Sequence, residues 1–407
     1  MLLTDTEKMS LELLKTVLDT NNQTVFNTLS ENYIDIFQEL QQHAVSSLVA
    51  PCFSRIKNIP DNIVSEWEKV TLQQIYLYTQ YLNIQREIEI SFKKNNIPFI
   101  ILKGTSASCY YPYPQLRAMG DIDIITSPEN IDKAGSVLEE IGYKRLYLKN
   151  DFGRTVKYLK GNMEVEIHNY YASLNDPEKA EYLDNLILEN INSCETKLPD
   201  RINGLVLLEH IGDHLEHGLG LRQIIDWMMY VRKCLSDVEW EAWFKQSADR
   251  LGLNTLAITV TRMCQIYLGL CDNITWCKTA DDLLCRELMA YIMRSGNFGR
   301  KIDIQKRSTI TVFTNHRSII EMFQLLQRYG ETNWKLLKKY SFLRPLSWLY
   351  EISHLVSKRI GHDYTLSETV EEYREGRERK ALFEKLGVKQ YKKGLAVRKG
   401  DHFVVDK

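Results

Sequence analysis

The 407-residue chain has no run of about 18 apolar residues, the length at which a helix begins to be able to cross a bilayer, so no spanning segment is expected. It opens MLLTDTEKMS, without a basic stretch leading into an apolar one, and no secretory leader is expected either. Charge of neither sign is in excess. Lys and Arg number 52 and Asp and Glu 53, a net −1, which argues against bulk attraction to nucleic acid or to an anionic membrane and leaves only local patches. None of the eight cysteines forms a C-x-x-C pair. The four that lie closest together, Cys264, Cys271, Cys277 and Cys285, lack the spacing of a zinc site, so the cysteines are read as reduced, buried small hydrophobes. No internal repeat and no low-complexity tract occurs. What is left, 44% apolar and 26% charged, is the composition of a cytoplasmic globular protein with length for roughly two or three domains.

Hydrophobic periodicity divides the chain into a helical region 1–94, a mixed core 95–175, a helical domain 176–310 and a helical extension 311–407. Val70 to Lys94 is the clearest part of the first region, with Leu72, Ile75, Leu82 and Ile90 at near-helical spacing. Pro98-Phe99-Ile100-Ile101-Leu102 then reads as a buried strand that Lys103-Gly104 stops. A short helix or loop over Thr105 to Tyr111 and an irregular stretch at Pro112 and Pro114 follow. Gly120 opens a second strand, Asp121 to Thr126, and Ser127-Pro128-Glu129 starts a helix that ends near Ile141-Gly142. Strands at Thr155 to Leu159 and Met163 to His168 are joined by Gly161-Asn162, a hairpin signal. The helical domain carries four periodic stretches, Leu205 to Gly218, Leu221 to Leu235, Trp240 to Leu251 and Thr255 to Leu268. In the extension, Phe323, Trp334, Trp348 and Tyr350 are read as core, with a minor reading of the adjacent Lys335, Lys338, Lys339 and Arg344 as a membrane-surface or partner face. The basic tail Lys389 to Lys407 is expected to be mobile.

The chemistry concentrates in the mixed core. Asp121 and Asp123 are one residue apart on a strand, so period-two geometry turns both carboxylates to one face and Ile122 and Ile124 to the other. Two carboxylates held that close need a cation between them, and Mg²⁺, which takes carboxylate and phosphate oxygens, suits the position. On a later strand Glu164, Glu166 and His168 share a face, offering a third metal ligand or a base for an attacking hydroxyl. Gly104 allows a backbone to approach a phosphate, Thr105 and Ser106 supply hydroxyls, and Lys103 and Arg117 supply neutralising charge.

This combination resembles the polymerase-β-like nucleotidyltransferase superfamily, and within it the family called uncharacterised nucleotidyltransferase. The resemblance rests on Leu102-Lys103-Gly104, on Arg117 with Gly120-Asp121-Ile122-Asp123-Ile124, on Val165-Glu166-Ile167-His168, and on the helical segment from His210 through Leu221-Arg222-Gln223-Ile224-Ile225-Asp226. It covers roughly residues 30–300. It implies an α+β protein in which a polymerase-β-type nucleotidyltransferase core, a small mixed sheet with helices, is flanked by N-terminal and C-terminal helical regions. It also implies transfer of a nucleoside monophosphate from an NTP, ATP foremost, to a hydroxyl of a small molecule or a protein, with release of pyrophosphate. Asp121, Asp123 and Glu166 would be the catalytic and Mg²⁺-binding residues of a two-metal site. Lys103, Gly104, Thr105, Ser106, Arg117, His168 and His214 would meet the nucleotide. The usual Gly-Ser turn is Gly104-Thr105 here, preceded by lysine, and the gap to Asp121 is longer.

Other readings stand beside this one. The altered turn motivates a non-catalytic nucleotide-binding protein of a regulatory or scaffold kind. His210, His214 and His217 fall at i, i+4 and i+7 of a helix, where they would bind Zn²⁺ in a hydrolase, line a cleft, or pack at an interface. Arg222 and Asp226, four residues apart on one helix, are read first as a surface pair, whereas the resemblance would put them near the active cleft. Gly296-Asn297-Phe298-Gly299-Arg300-Lys301 lacks the spacing and ending of a P-loop. A long nucleic acid is disfavoured as acceptor by the near-zero net charge.

Overall fold

Short runs of β-branched and aromatic residues meet in one mixed sheet, and the helices around it follow from where apolar stripes continue or stop. The computed structural model describes residues 3–19, 25–146, 155–174, 176–191, 195–301, 319–360 and 366–388. Expectations placed on 311–318 and on Lys389–Lys407 fall outside these residues. Two compact units form, one running to Lys301 and including Leu386–Val388, the other within Ile302–Lys385.

In the first unit α1 (Asp5–Leu18) and α2 (Asn32–Gln42) precede a 34-residue α3 (Asp61–Lys94). Two-residue strands β1 (Phe26–Asn27) and β2 (Ile56–Lys57) pair in parallel beside them. Ile63, Trp67, Thr71, Gln74, Tyr81, Ile88 and Phe92 bury one side of α3 at spacings of three, four and seven and make one long helix. The buried face is not the one expected from Leu72, Ile75, Leu82 and Ile90, of which Leu72, Leu82 and Ile90 are exposed. It stops at Asn95-Asn96, where Asn96 takes a left-handed φ of 53° and the Ile97 amide donates back to the Phe92 carbonyl.

The chain then enters β3 (Phe99–Leu102), α4 (Gly104–Ser108), β4 (Ile122–Thr126), α5 (Ile131–Glu140) and β5 (Lys144–Leu146), and closes with the hairpin β6 (Thr155–Lys160) and β7 (Met163–His168). The strand order is β3-β4-β7-β6-β5, with β4 and β7 parallel and every other pair antiparallel. The expected α+β class is found. Phe99, Ile101, Ile122, Ile124, Val165 and Ile167 form one face of the sheet and pack with Ile88, Phe92, Val137 and Leu138 of α3 and α5. Strand periodicity turns the intervening residues to the opposite face. There the register aligns Leu102, Asp123, Glu166 and Lys157 in a single row across four strands.

That second face looks toward helices α6 (Pro177–Leu188), α7 (Asp200–His217) and α8 (Leu221–Cys234). The link is polar as well as apolar: Tyr171 Oη donates to the Val206 carbonyl, Tyr110 Oη to Asp200, and the Asn203 amide to Tyr110 Oη. All residues from Leu221 to Val231 are buried, so α8 is an interior helix and not the amphipathic surface helix the Arg222–Asp226 spacing suggested. Helices Asn254–Leu268 and Asp282–Ser295 complete the unit, with a π-helical turn at Trp240–Phe244 before Lys245–Leu251. The seven described cysteines are free. No helix among the described residues is long and apolar enough to cross a membrane.

In the second unit helices Ile319–Asn333 and Ser347–Ile360 pack together, and the Trp334 and Tyr350 rings stack at 5.2 Å. The expected aromatic core is only partly formed. Trp334, Trp348 and Tyr350 are half-buried, whereas Phe323, Phe342 and Leu346 are exposed, because two helices and the short 3₁₀ turns between them offer too little surface to cover them.

Candidate active site

Each strand end delivers one part of the site. β3 ends in Lys103 at φ 49° and Gly104 at φ 35°, a left-handed pair that breaks the strand abruptly into α4. A Cβ at Gly104 would stand 3.3 Å from the Met119 methyl and 3.7 Å from the Asp121 carbonyl, so glycine lets this turn sit against the start of β4. The turn sends the Lys103 ammonium across the sheet to Asp123, 3.0 Å from Oδ1. On the same oxygen the His168 Nε2 lies at 2.7 Å, and it also stands 3.8 Å from Glu166 Oε2. Lys157, one strand further along the row, bonds both Glu166 and Glu164.

The electrostatics follow from this crowding. Burial opposes the charge on Asp123, which is 3% exposed, but Lys103 and the His168 hydrogen bond outweigh it and hold the carboxyl well below its usual range. Glu166 goes the other way: burial, then repulsion from Asp123 and Asp121 against the pull of Lys157, pushes it up to about 7. Asp121 sits just ahead of β4, half-buried, and the charge of Asp123, followed by burial, raises its carboxyl. Donor atoms of Asp123, Glu166 and His168 come within 4.8 Å of one another, the only such grouping among the described residues. Two carboxylates and an imidazole with cationic side chains drawn onto them are a donor set that fits a divalent cation. His168, read from sequence as a nucleotide contact, is therefore inside the tight cluster, and Asp121 stands at its edge.

The remaining sequence candidates have more local partners. The Thr105 hydroxyl donates to Gln85 Oε1 at 2.6 Å and the Ser106 hydroxyl to the Ile101 carbonyl at 2.7 Å. Arg117 is buried and makes a two-pronged pair with Asp226, Nε to Oδ1 and Nη2 to Oδ2 each at 2.7 Å, while Tyr111 Oη donates to Oδ1 at 2.7 Å. Asp226 is thus the partner of Arg117 and not of Arg222, which corrects the expected i, i+4 surface pair. Arg222 is buried too, with Nη1 on the Ala118 carbonyl. His210 and His214 pack edge to face at 4.3 Å, and His214 meets the Phe298 ring at 4.9 Å. Burial, then His214 and Lys103, push the His210 imidazole well below its usual range, which places this helix face close to the cationic side of the site. The His217 side chain falls outside the described residues.

Three participants went unread in the sequence. Tyr81 of α3 donates to the Gly120 carbonyl at 2.6 Å, and Phe298 reaches the site's edge from far along the chain; neither has a local signal. Lys157 had one. A two-residue turn at Gly161-Asn162 pairs 160 with 163, and counting back pairs 157 with 166.

The uncharacterised nucleotidyltransferase family matches residues 31–269, more than half of the sequence, and the chain belongs to that family. No curated protein and no solved structure matches it.

Proposed function

We propose that the protein is a metal-dependent nucleotidyltransferase with a polymerase-β-type core, moving a nucleoside monophosphate from an NTP to a hydroxyl of a small molecule or protein. The observation that carries this reading is the registered pair Asp123 and Glu166 on adjacent parallel strands, with Asp121 at the strand entrance. In the reaction the acceptor oxygen attacks the α-phosphorus, the bond to the bridging β-phosphate oxygen breaks, and pyrophosphate leaves. Glu166 takes the acceptor's proton, a role suited to a carboxyl pushed up to about 7. Asp123 and Asp121 would hold Mg²⁺, with Glu166 as the alternative third ligand where it does not act as the base; when bound, the ion supplies charge neutralisation at the phosphates. Lys103 counters negative charge on the side of β3. ATP is the preferred donor, and the cytoplasm the proposed location.

A second reading, a nucleotide-binding protein without catalysis, has its own support. Lys103 and Lys157 already sit on Asp123 and Glu166, and the Thr105 and Ser106 hydroxyls face inward.

The test is thermal unfolding with each of the four NTPs plus Mg²⁺, followed by pyrophosphate release with an acceptor panel. A donor at one hundred times its dissociation constant should add about 2.7 kcal/mol. The expected result is a Mg²⁺-dependent shift with one NTP, lost in Asp121→Asn/Asp123→Asn, and pyrophosphate release that disappears with it. Binding without release across the panel favours the second reading. No shift with any NTP sinks both.

A further inference from the structure

Arg222 is a buried cation with no carboxylate partner among the described residues. It is 8% exposed, its Nη1 donates to the Ala118 carbonyl at 3.2 Å, and its Nε finds no acceptor among the described residues. No carboxylate among the described residues comes within 4.0 Å of the guanidinium. Arg117, in the segment that leads into β4, is the contrast, with two hydrogen bonds to one carboxylate. A buried guanidinium with spare donors is costly unless something negative comes to it.

The guanidinium is directed at the acidic site. Its Nη1 lies 3.8 Å from where a Cβ on Gly120 would stand, one residue before Asp121, and its charge acts on Asp121. Its outer face is set by Phe298, whose ring centroid is 5.3 Å from Cζ. Phe298 is 40% exposed and holds a left-handed conformation, φ 54° and ψ 31°. The backbone keeps it there. A Cβ on Gly218 would be 2.1 Å from the Gly299 nitrogen, and one on Gly220 would be 2.7 Å from Asn297 Cα, so the 297–299 turn is pressed onto the turn between α7 and α8. Phe298 lies beyond the family match, which ends at residue 269.

We propose that Arg222, held flat by Phe298, is a phosphate-binding residue that takes the non-transferred phosphates of the NTP, the pair that leaves as pyrophosphate. This rests on the nucleotidyltransferase reading. The carboxylates mark the reacting α-phosphate, and a guanidinium beside them meets the part of the donor that carries charge but is not attacked. The planar fork matches two phosphate oxygens at once, and the aromatic ring fixes its plane.

The experiment is calorimetric binding of Mg²⁺-ATP (or whichever NTP shifts the wild type), Mg²⁺-tripolyphosphate and the matching nucleoside monophosphate to the full chain and to Arg222→Met, Arg222→Lys and Phe298→Leu. Arg222→Met should weaken NTP and tripolyphosphate by about 10–100-fold, with Arg222→Lys between it and wild type. Phe298→Leu should weaken both by a smaller factor, and monophosphate affinity should hold in all three. If Arg222→Met does not fold, the lysine and Phe298 variants carry the same comparison. Unchanged NTP and tripolyphosphate affinity in folded variants overturns the proposal while Asp123→Asn still tests the wider reading. An equal loss for the monophosphate also overturns it, since Arg222 would then act on the transferred group or on structure. A wild type that binds no NTP removes both.

Discussion

Two charge clusters, one buried and one partly exposed, are joined through residues 118–120, and they are built in opposite ways. Arg117, Asp226 and Tyr111 form a closed set: both carboxylate oxygens are engaged, and the Gln74 amide donates to the Arg117 carbonyl at 2.8 Å. Asp121, Asp123, Glu164 and Glu166 face Lys103, Lys157 and His168, four acids against two fixed cations and an imidazole. The first cluster holds Arg117 firmly in its charged form, its pairing with Asp226 overcoming the burial that opposes charge. The second leaves one carboxyl, Glu166, pushed up to about 7. A satisfied cluster joins α8 to the loop before β4. The acid-rich one gathers a donor set that fits a divalent cation, and that separates the scaffold from the site.

The largest way to break this contrast is Arg117→Met, which strands a buried Asp226 and should cost about 3–5 kcal/mol in urea unfolding. The double variant Arg117→Met/Asp226→Leu should recover much of that loss, and a double as unstable as the single would mean the cluster is more than a closed pair. Next comes the acid-rich side. Because the folded carboxyl of Glu166 lies at about 7, above its ordinary value of 4.5, the folded protein holds a proton that the unfolded chain releases between those values. Stability of the metal-free protein should therefore fall as pH rises through that window, by roughly 3 kcal/mol, and Glu166→Gln should remove this component. A wild type and variant with parallel pH profiles would contradict the assignment. The smallest effect belongs to Lys157→Met. Its ammonium is partly exposed, so stability at pH 8 should drop by about 1 kcal/mol or less, while calorimetry with Mn²⁺ should register tighter binding once the competing ammonium is gone. Weaker Mn²⁺ binding would instead make Lys157 a support of the site.

Much of the sheet was legible because its signals are local. Phe99–Leu102 and Ile122–Thr126 are unbroken apolar or alternating runs, and Gly161-Asn162 is a turn whose geometry sets the register of β6 against β7. β5 escaped because Lys144–Leu146 is a three-residue edge strand with two exposed charged residues and no alternation to read. The pairing of Asp123 with Glu166 was foreshadowed by residue type, but their adjacency depends on β4 and β7 lying side by side in parallel, a tertiary choice. The expected surface pair of Arg222 with Asp226 fails for the same reason. Helical spacing places Arg222 and Asp226 on one face of α8, and only the packing of the whole helix into the interior decides that Asp226 turns to Arg117.

The parallel pairing of β4 with β7 has a consequence for how the chain assembles. Asp123 and Glu166 cannot meet until α5, β5 and the β6–β7 hairpin have passed between them, so closing the sheet carries the loop entropy of a long connection and brings like charges together in one event. The hairpin, being local, forms its own contacts without waiting for that closure. Glu166 therefore has a counter-ion, Lys157, within its own hairpin, whereas its contact with Asp123 needs the long connection closed.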